Sequence, residues 1–159
     1  MTHPDSHPNA FKLSLFIGNW AGTGELFATP WSQAANCESL WHFGFDESGL
    51  NLIHDYRENR TNGQHFNGHG VFNIAPDTKE VLWFWFDDFG FPPLNPSRGN
   101  WDLDKLILIK KTPRGIGRST FIFKHKIFDY FIETQPAGQE YFLPVMRGEF
   151  RKIPHIERY

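Results

Sequence analysis

Apolar and polar residues alternate along most of this chain, and clusters of turn-forming residues interrupt the alternation at short intervals. A period of two puts successive side chains on opposite faces of an extended strand, so the pattern predicts an antiparallel β protein. Ten strands are expected, near 19–27, 37–45, 51–59, 64–74 and 81–86, then 98–103, 106–111, 118–124, 127–134 and 142–151. Thr61-Asn62-Gly63 is the clearest turn, because Asn-Gly accepts the positive φ values of the tight primed turns. Segments 46–49, 76–79, 103–105 and 136–138 carry further turn chemistry. Ahead of the first strand, Phe11, Leu13, Leu15, Phe16 and Ile17 suit one or two helical turns that close one end of the fold. Residues 1–10 hold two prolines and no apolar period; they read as a disordered tail, leaving 11–159 as a single β domain.

Consecutive strands joined by tight turns fit an up-and-down meander, and curling it shut removes the exposed edges of an open sheet. The fold expected is therefore all-β: a closed ten-stranded antiparallel barrel with a short N-terminal helix. A two-sheet sandwich is the alternative, disfavoured because its crossings need longer connections. In Gly18-Asn19-Trp20-Ala21-Gly22-Thr23-Gly24, Trp20 shares a strand face with the three glycines. That arrangement seats an indole at the barrel floor while the glycines let a bent strand pass close to its neighbours. One long irregular segment, 87–97, contains Gly90, Pro92, Pro93 and Pro96 and is expected as a flap at one mouth.

Val81-Leu82-Trp83-Phe84-Trp85-Phe86 is apolar on both faces. If one set fills the interior, the alternate set lies outside as an apolar patch, and such patches mark interfaces. A homodimer is the expected partner; cover by the helix or the proline loop is the competing explanation.

Composition narrows the function classes. With 17 Phe, 6 Trp and 4 Tyr against 2 Met, the core is one of rigid rings, which also suit the lining of a cavity. Sixteen Lys and Arg against 18 Asp and Glu give a net charge of −2, so charge favours neither nucleic acid nor an anionic membrane. The lone Cys37 has no disulfide partner and reads as a packed, inert thiol. No signal-peptide pattern or bilayer-length apolar run appears, so a soluble, cytoplasmic protein is expected.

Candidate chemistry is sparse. His65 and His69 lie on one strand face about 13 Å apart, too far to share an ion. His42 and His54, on neighbouring strands, lack accompanying carboxylates, and no metal site is expected. Gly68 and Gly70 flank His69 and are taken to clear space for it to face a pocket. Asp87-Asp88 reads as a turn cap rather than an acid–base pair, and no serine-nucleophile or phosphate-loop motif occurs. Arg147 and Arg151 share a face of the last strand, where one guanidinium is expected to stack on Trp20. Arg118 or Arg147 pointing inward would pair with a ligand carboxylate.

These residues carry a resemblance. Gly18-Asn19-Trp20-Ala21-Gly22-Thr23-Gly24 resembles the Gly-x-Trp-x-Gly-x-Gly opening of nitrobindin-like members of the calycin superfamily, and a glycine–tryptophan start is shared with lipocalins and fatty-acid-binding proteins. More closely, the chain is similar to a bacterial domain-of-unknown-function family. The order of that family is Gly-x-Trp, an Asp55-Tyr56-like pair, Gly68-His69-Gly70-Val71-Phe72, Trp83-Phe84-Trp85-Phe86-Asp87, a proline-rich loop, and Arg98-Gly99-Asn100-Trp101. The resemblance implies a calycin-like (lipocalin/nitrobindin-like) barrel with a pocket and no established activity. Nitrobindins hold haem b through a histidine near the C-terminus; the positional counterpart is His155, but Pro154 precedes it and turns the chain out of the ladder. No cofactor, haem included, is therefore expected.

The reading that follows is a noncatalytic binding protein for a small hydrophobic or aromatic molecule. Tyr56, His69, Trp85, Trp101 and Arg118 are its expected pocket residues, and no residue is assigned as catalytic. Three rivals stay open: an enzyme using His69 as acid or base with Tyr56 or Asp87, a haem protein, and an interaction protein whose interior is full.

Overall fold

Turns too short for a crossover leave each strand to pair with its neighbours in sequence, and that is the topology found. The computed structural model describes residues 8–154. The strands are β1 (Gly18–Leu26), β2 (Ala35–Phe45), β3 (Leu52–Arg60), β4 (His65–Ile74), β5 (Val81–Asp87), β6 (Ser97–Asp102), β7 (Lys105–Thr112), β8 (Gly115–Lys124), β9 (Ile127–Pro136) and β10 (Leu143–Ile153). Each pairs antiparallel with the next, and β1 pairs with β10 from Asn19↔Ile153 to Leu26↔Met146, closing the barrel. The expected strands are all present with shifted ends; β8 begins earlier than expected, at Gly115. At the Asn62-Gly63 turn only Gly63 takes a positive φ, +84°, and its N–H donates to the Arg60 carbonyl, so the central residues Thr61 and Asn62 do not form the primed turn expected.

The helical cap begins earlier than expected: α1 spans Pro8–Lys12, starting inside the segment read as a tail, and a 3₁₀ turn follows at Leu13–Phe16. Residues 1–7 of that tail, and His155, lie outside the described residues. Polar side chains moor α1 to two turns: Asn9 donates to the Lys79 carbonyl and Lys12 to the Leu103 carbonyl. Phe16 is fully buried among Phe43, Phe72, Phe121, Phe123 and Phe128, with centroids 4.8–6.1 Å away. The Trp20 indole N–H donates to the Phe16 carbonyl at 2.8 Å, fastening the plug to the floor. The cation over Trp20 is Lys152, 5.7 Å from the ring, and not Arg147 or Arg151. Met146, Gly148 and Phe150 are the buried alternates of β10, which puts Arg147 and Arg151 outside beside Glu25 and Glu149.

Parity settles the tryptophan strand as well. Val81, Trp83 and Trp85 point inward, while Leu82, Phe84 and Phe86 line the outside, Phe86 exposed. The outward Phe84 shares a register row with Val71 and Ile53.

Nine of the ten seams run long. The β5–β6 seam joins only Val81↔Gly99, Leu82↔Arg98 and Trp83↔Ser97. Above Trp83, β5 has no partner on that side, and β7 above Ile109 is likewise unpaired toward β6.

Candidate ligand-binding site

The two halves of the interior differ in chemistry. The closed half is solid with rings. His54 sits there, fully buried, with its centroid 4.9 Å from Phe43 and 4.8 Å from Phe72. Its Nε2 accepts from the Trp83 indole N–H at 2.9 Å, which leaves the proton on Nδ1 to donate to the Leu52 carbonyl at 3.2 Å. Burial pushes its pKa down to about 3, so it is neutral at physiological pH. A Cβ at Gly70 would lie 2.1 Å from His54 Nε2, and one at Gly68 would lie 2.0 Å from the Trp85 ring. The glycines of β4 therefore make room for these two rings.

This overturns the expectation that His69 faces the pocket. Residues 68 and 70 point inward, so 69 points outward, where His69 Nδ1 meets Asp55 Oδ1 at 2.7 Å with both side chains exposed. Arg118 is also outside: it pairs bidentately with Glu133 at 3.1 Å and lies 3.8 Å over the Phe142 ring. Trp101 is inside but at the closed end, against Phe16 and Phe123, with its indole N–H unpaired among the described residues. Of the five expected residues, only Tyr56 and Trp85 come together, 6.2 Å apart. The acid–base pairing of His69 with Tyr56 or Asp87 is not formed, since His69 lies on the other side of the wall. Asp87 instead caps its turn, accepting from the Phe89 N–H and from the Trp85 indole.

Toward the open end, the inner wall becomes polar. Tyr56 donates to Glu58 Oε1 at 2.6 Å and lies 3.0 Å from the Ser39 hydroxyl. Because the phenol has one proton, Ser39 is the donor of that second bond. Arg60 Nε donates to Glu58 Oε2 at 2.6 Å. Glu58 is only 2% exposed, so this is a buried carboxylate held by two donors. Burial first, and the adjoining Glu58 charge second, push the Tyr56 pKa well up, so its hydroxyl keeps its proton. Burial likewise raises Tyr130, and it raises the Cys37 thiol, in keeping with a packed cysteine. The terminal nitrogens of Arg60 have no hydrogen-bond partner among the described residues, and its guanidinium lies 5.6 Å from the Phe66 ring.

Aromatic surface meets this polar layer. Trp41 packs 4.4 Å from Tyr56, 5.6 Å from Tyr130 and 5.9 Å from Trp85; it is 1% exposed, and its indole N–H has no acceptor among the described residues. On the far wall, the inward side of Gly117 is unfilled: a Cβ there would meet only the Lys110 carbonyl, at 3.9 Å. Two grooves of about 870 and 820 Å³ lie on the outer face of the wall around β1, lined by outward side chains such as Thr23, Glu38 and Asn59.

The sequence reading missed Glu58 and Arg60. The signal was available in β3, whose inward residues His54, Tyr56, Glu58 and Arg60 give it no clean apolar face.

Both ring nitrogens of the interior His54 are already engaged, and no group of three or more His, Cys, Asp or Glu among the described residues is placed to hold a metal ion. No described helix is long and apolar enough to cross a membrane.

The fold is that of the lipocalin-like closed barrels, with a helical plug at one end. Among solved structures, the chain is similar to Rv2717c from M. tuberculosis, with TM-score 0.71 and 13% identity over 92% of this chain and 98% of that one. It is also similar to the S-type phycobiliprotein lyase CPES from Guillardia theta, with TM-score 0.64 and 8% identity over 94% of this chain and 99% of that one. At such identities the likeness establishes the barrel. No family model matches the chain, and no curated protein matches it in sequence, so the bacterial family suggested by the motifs has no such support.

Proposed function

We propose that this barrel is a noncatalytic binding protein whose open half takes a small hydrophobic or aromatic molecule bearing an acidic group. One observation carries the reading: a Glu58–Arg60 ion pair is set into the inner wall among rings. Burying two charges costs more than filling the same volume with apolar side chains, so such a pair is poorly explained by stability alone. The pair leaves Arg60 with a half-buried guanidinium whose remaining N–H groups have no acceptor among the described residues. Guanidinium forks suit carboxylates and sulfonates. The Trp41 and Trp85 rings supply the apolar wall, and the Trp41 N–H supplies a second donor. The Ser39 hydroxyl beside them is tied to Tyr56, and burial raises the pKa of the Cys37 thiol, which favours binding over catalysis.

The test is a fluorescence titration with 8-anilinonaphthalene-1-sulfonate, an aromatic anion. Trp85→Leu, and the double replacement of Glu58→Gln with Arg60→Gln, should each weaken binding about tenfold or more, the worth of one good anchoring contact. Arg118→Ala, on the outer wall, should leave binding unchanged. Equal affinity in all four proteins would end the proposal.

A further inference from the structure

We infer that the bound molecule enters and leaves through the side of the barrel, between the upper halves of β5 and β7, and that segment 91–96 is the door. The inference rests on the binding reading above and adds its route.

The wall is open there for a chemical reason. Four residues of β5, Phe84 to Asp87, have no partner toward β6. The chain between β5 and β6 must descend past that gap to reach Ser97, and three of its residues, Pro92, Pro93 and Pro96, lack the N–H that a ladder requires. The segment cannot zip to either edge. It is also held loosely: residues 91–96 make no hydrogen bond to any described residue, and Phe91 and Leu94 are 71% and 89% exposed. What holds the loop is at its start, where Gly90 donates to the Asp87 carbonyl and the Phe89 ring lies 5.5 Å from Phe66 on the rim. Segments with few buried contacts and few backbone bonds are the first to open.

Each edge of the gap has a side chain matched to the proposed cargo. On β5, the Trp85 indole is held by Asp87 at 3.0 Å. On β7, Lys110 falls in the inward alternation set by Leu106 and Leu108 and is half-buried. An aromatic face on one side and an ammonium on the other suit the passage of a hydrophobic anion.

Stopped-flow mixing with 8-anilinonaphthalene-1-sulfonate tests the route. Phe89→Ser cuts the loop from Phe66, and the association and dissociation rates should both rise about two- to tenfold, the range set by one aromatic pair, with equilibrium affinity unchanged. Trp31→Ser, on the exposed β1–β2 loop at the same end, should leave both rates as they are. Binding whose rates ignore Phe89→Ser, or respond equally to Trp31→Ser, overturns the side entrance and leaves the binding reading intact. No binding by the unaltered protein overturns both.

Discussion

His54 is the sharpest probe of the ring-packed half, because its neutrality is enforced by burial and is lost when the chain unfolds. In the folded barrel its pKa is about 3, whereas an unfolded chain carries an ordinary histidine near 6.5. The sign follows from linkage. Above pH 6.5 both states are neutral and the contribution to stability is complete. Between 6.5 and 3 the unfolded state takes up a proton that the folded state refuses, so stability falls with pH, approaching about 1.4 kcal/mol per pH unit. From pH 6.5 to 4.5 the loss is roughly 2–3 kcal/mol, a large share of the 5–15 kcal/mol typical of a domain. Asp46, held down to about 2 by hydrogen bonds from Asn51 and Ser48, acts only below its ordinary 3.8 and stays clear of this window. His54→Gln removes the titration while keeping an acceptor for Trp83 and a donor for Leu52. It also forfeits stacking on Phe43 and Phe72, at about 1–3 kcal/mol near pH 7. Urea unfolding followed by tryptophan fluorescence at pH 7.5, 6.5, 5.5 and 4.5 should show the two stability curves converging as pH falls. Parallel curves between 6.5 and 4.5 would refute the buried, neutral imidazole.

Other substitutions read the same packing. Gly70→Ala should cost about 3 kcal/mol in chemical denaturation, because its methyl meets a His54 ring boxed by Phe43, Phe72 and Trp83. Gly68→Ala meets Trp85, which is only half-buried where His54 is fully enclosed, so its cost should be smaller, about 1–2 kcal/mol. Phe16→Ala should destabilise by about 3–5 kcal/mol, measured the same way, since the plug loses its whole ring cluster. We also propose the outward row of Ile53, Val71 and Phe84, with Phe86 beside it, as the contact of a homodimer. Sedimentation velocity should then show a dimer that Phe84→Ser with Phe86→Ser converts to monomer, and a monomeric unaltered protein would end that idea.

The architecture was legible in the sequence because barrel topology follows from local features: alternation, tight turns and the Trp20 glycine motif. The site was less so, and parity explains why. Reading Gly68 and Gly70 as clearance for His69 ignores that i and i+1 face opposite ways, and the space those glycines leave belongs to Trp85 and His54 on the two neighbouring strands. The same parity put Lys152, and not Arg151, over Trp20. Arg118 looked like an inward anchor until its cross-strand partner Glu133 and the Phe142 ring were in place, and neither is near it in sequence. The buried Glu58–Arg60 pair was hidden for another reason: two charges on one strand read as a solvated face unless the strand is known to be curled inward.

The most direct measurement is the ¹H–¹⁵N spectrum of the six indole N–H groups as 8-anilinonaphthalene-1-sulfonate is added. If the open half is the site, the Trp41 indole resonance, assigned through Trp41→Phe, moves downfield as its N–H gains an acceptor, and Trp85 shifts with it. The equally unpaired Trp101 N–H at the plugged end stays put. Movement of Trp101 alone, or an unmoved Trp41 at saturation, would contradict the account.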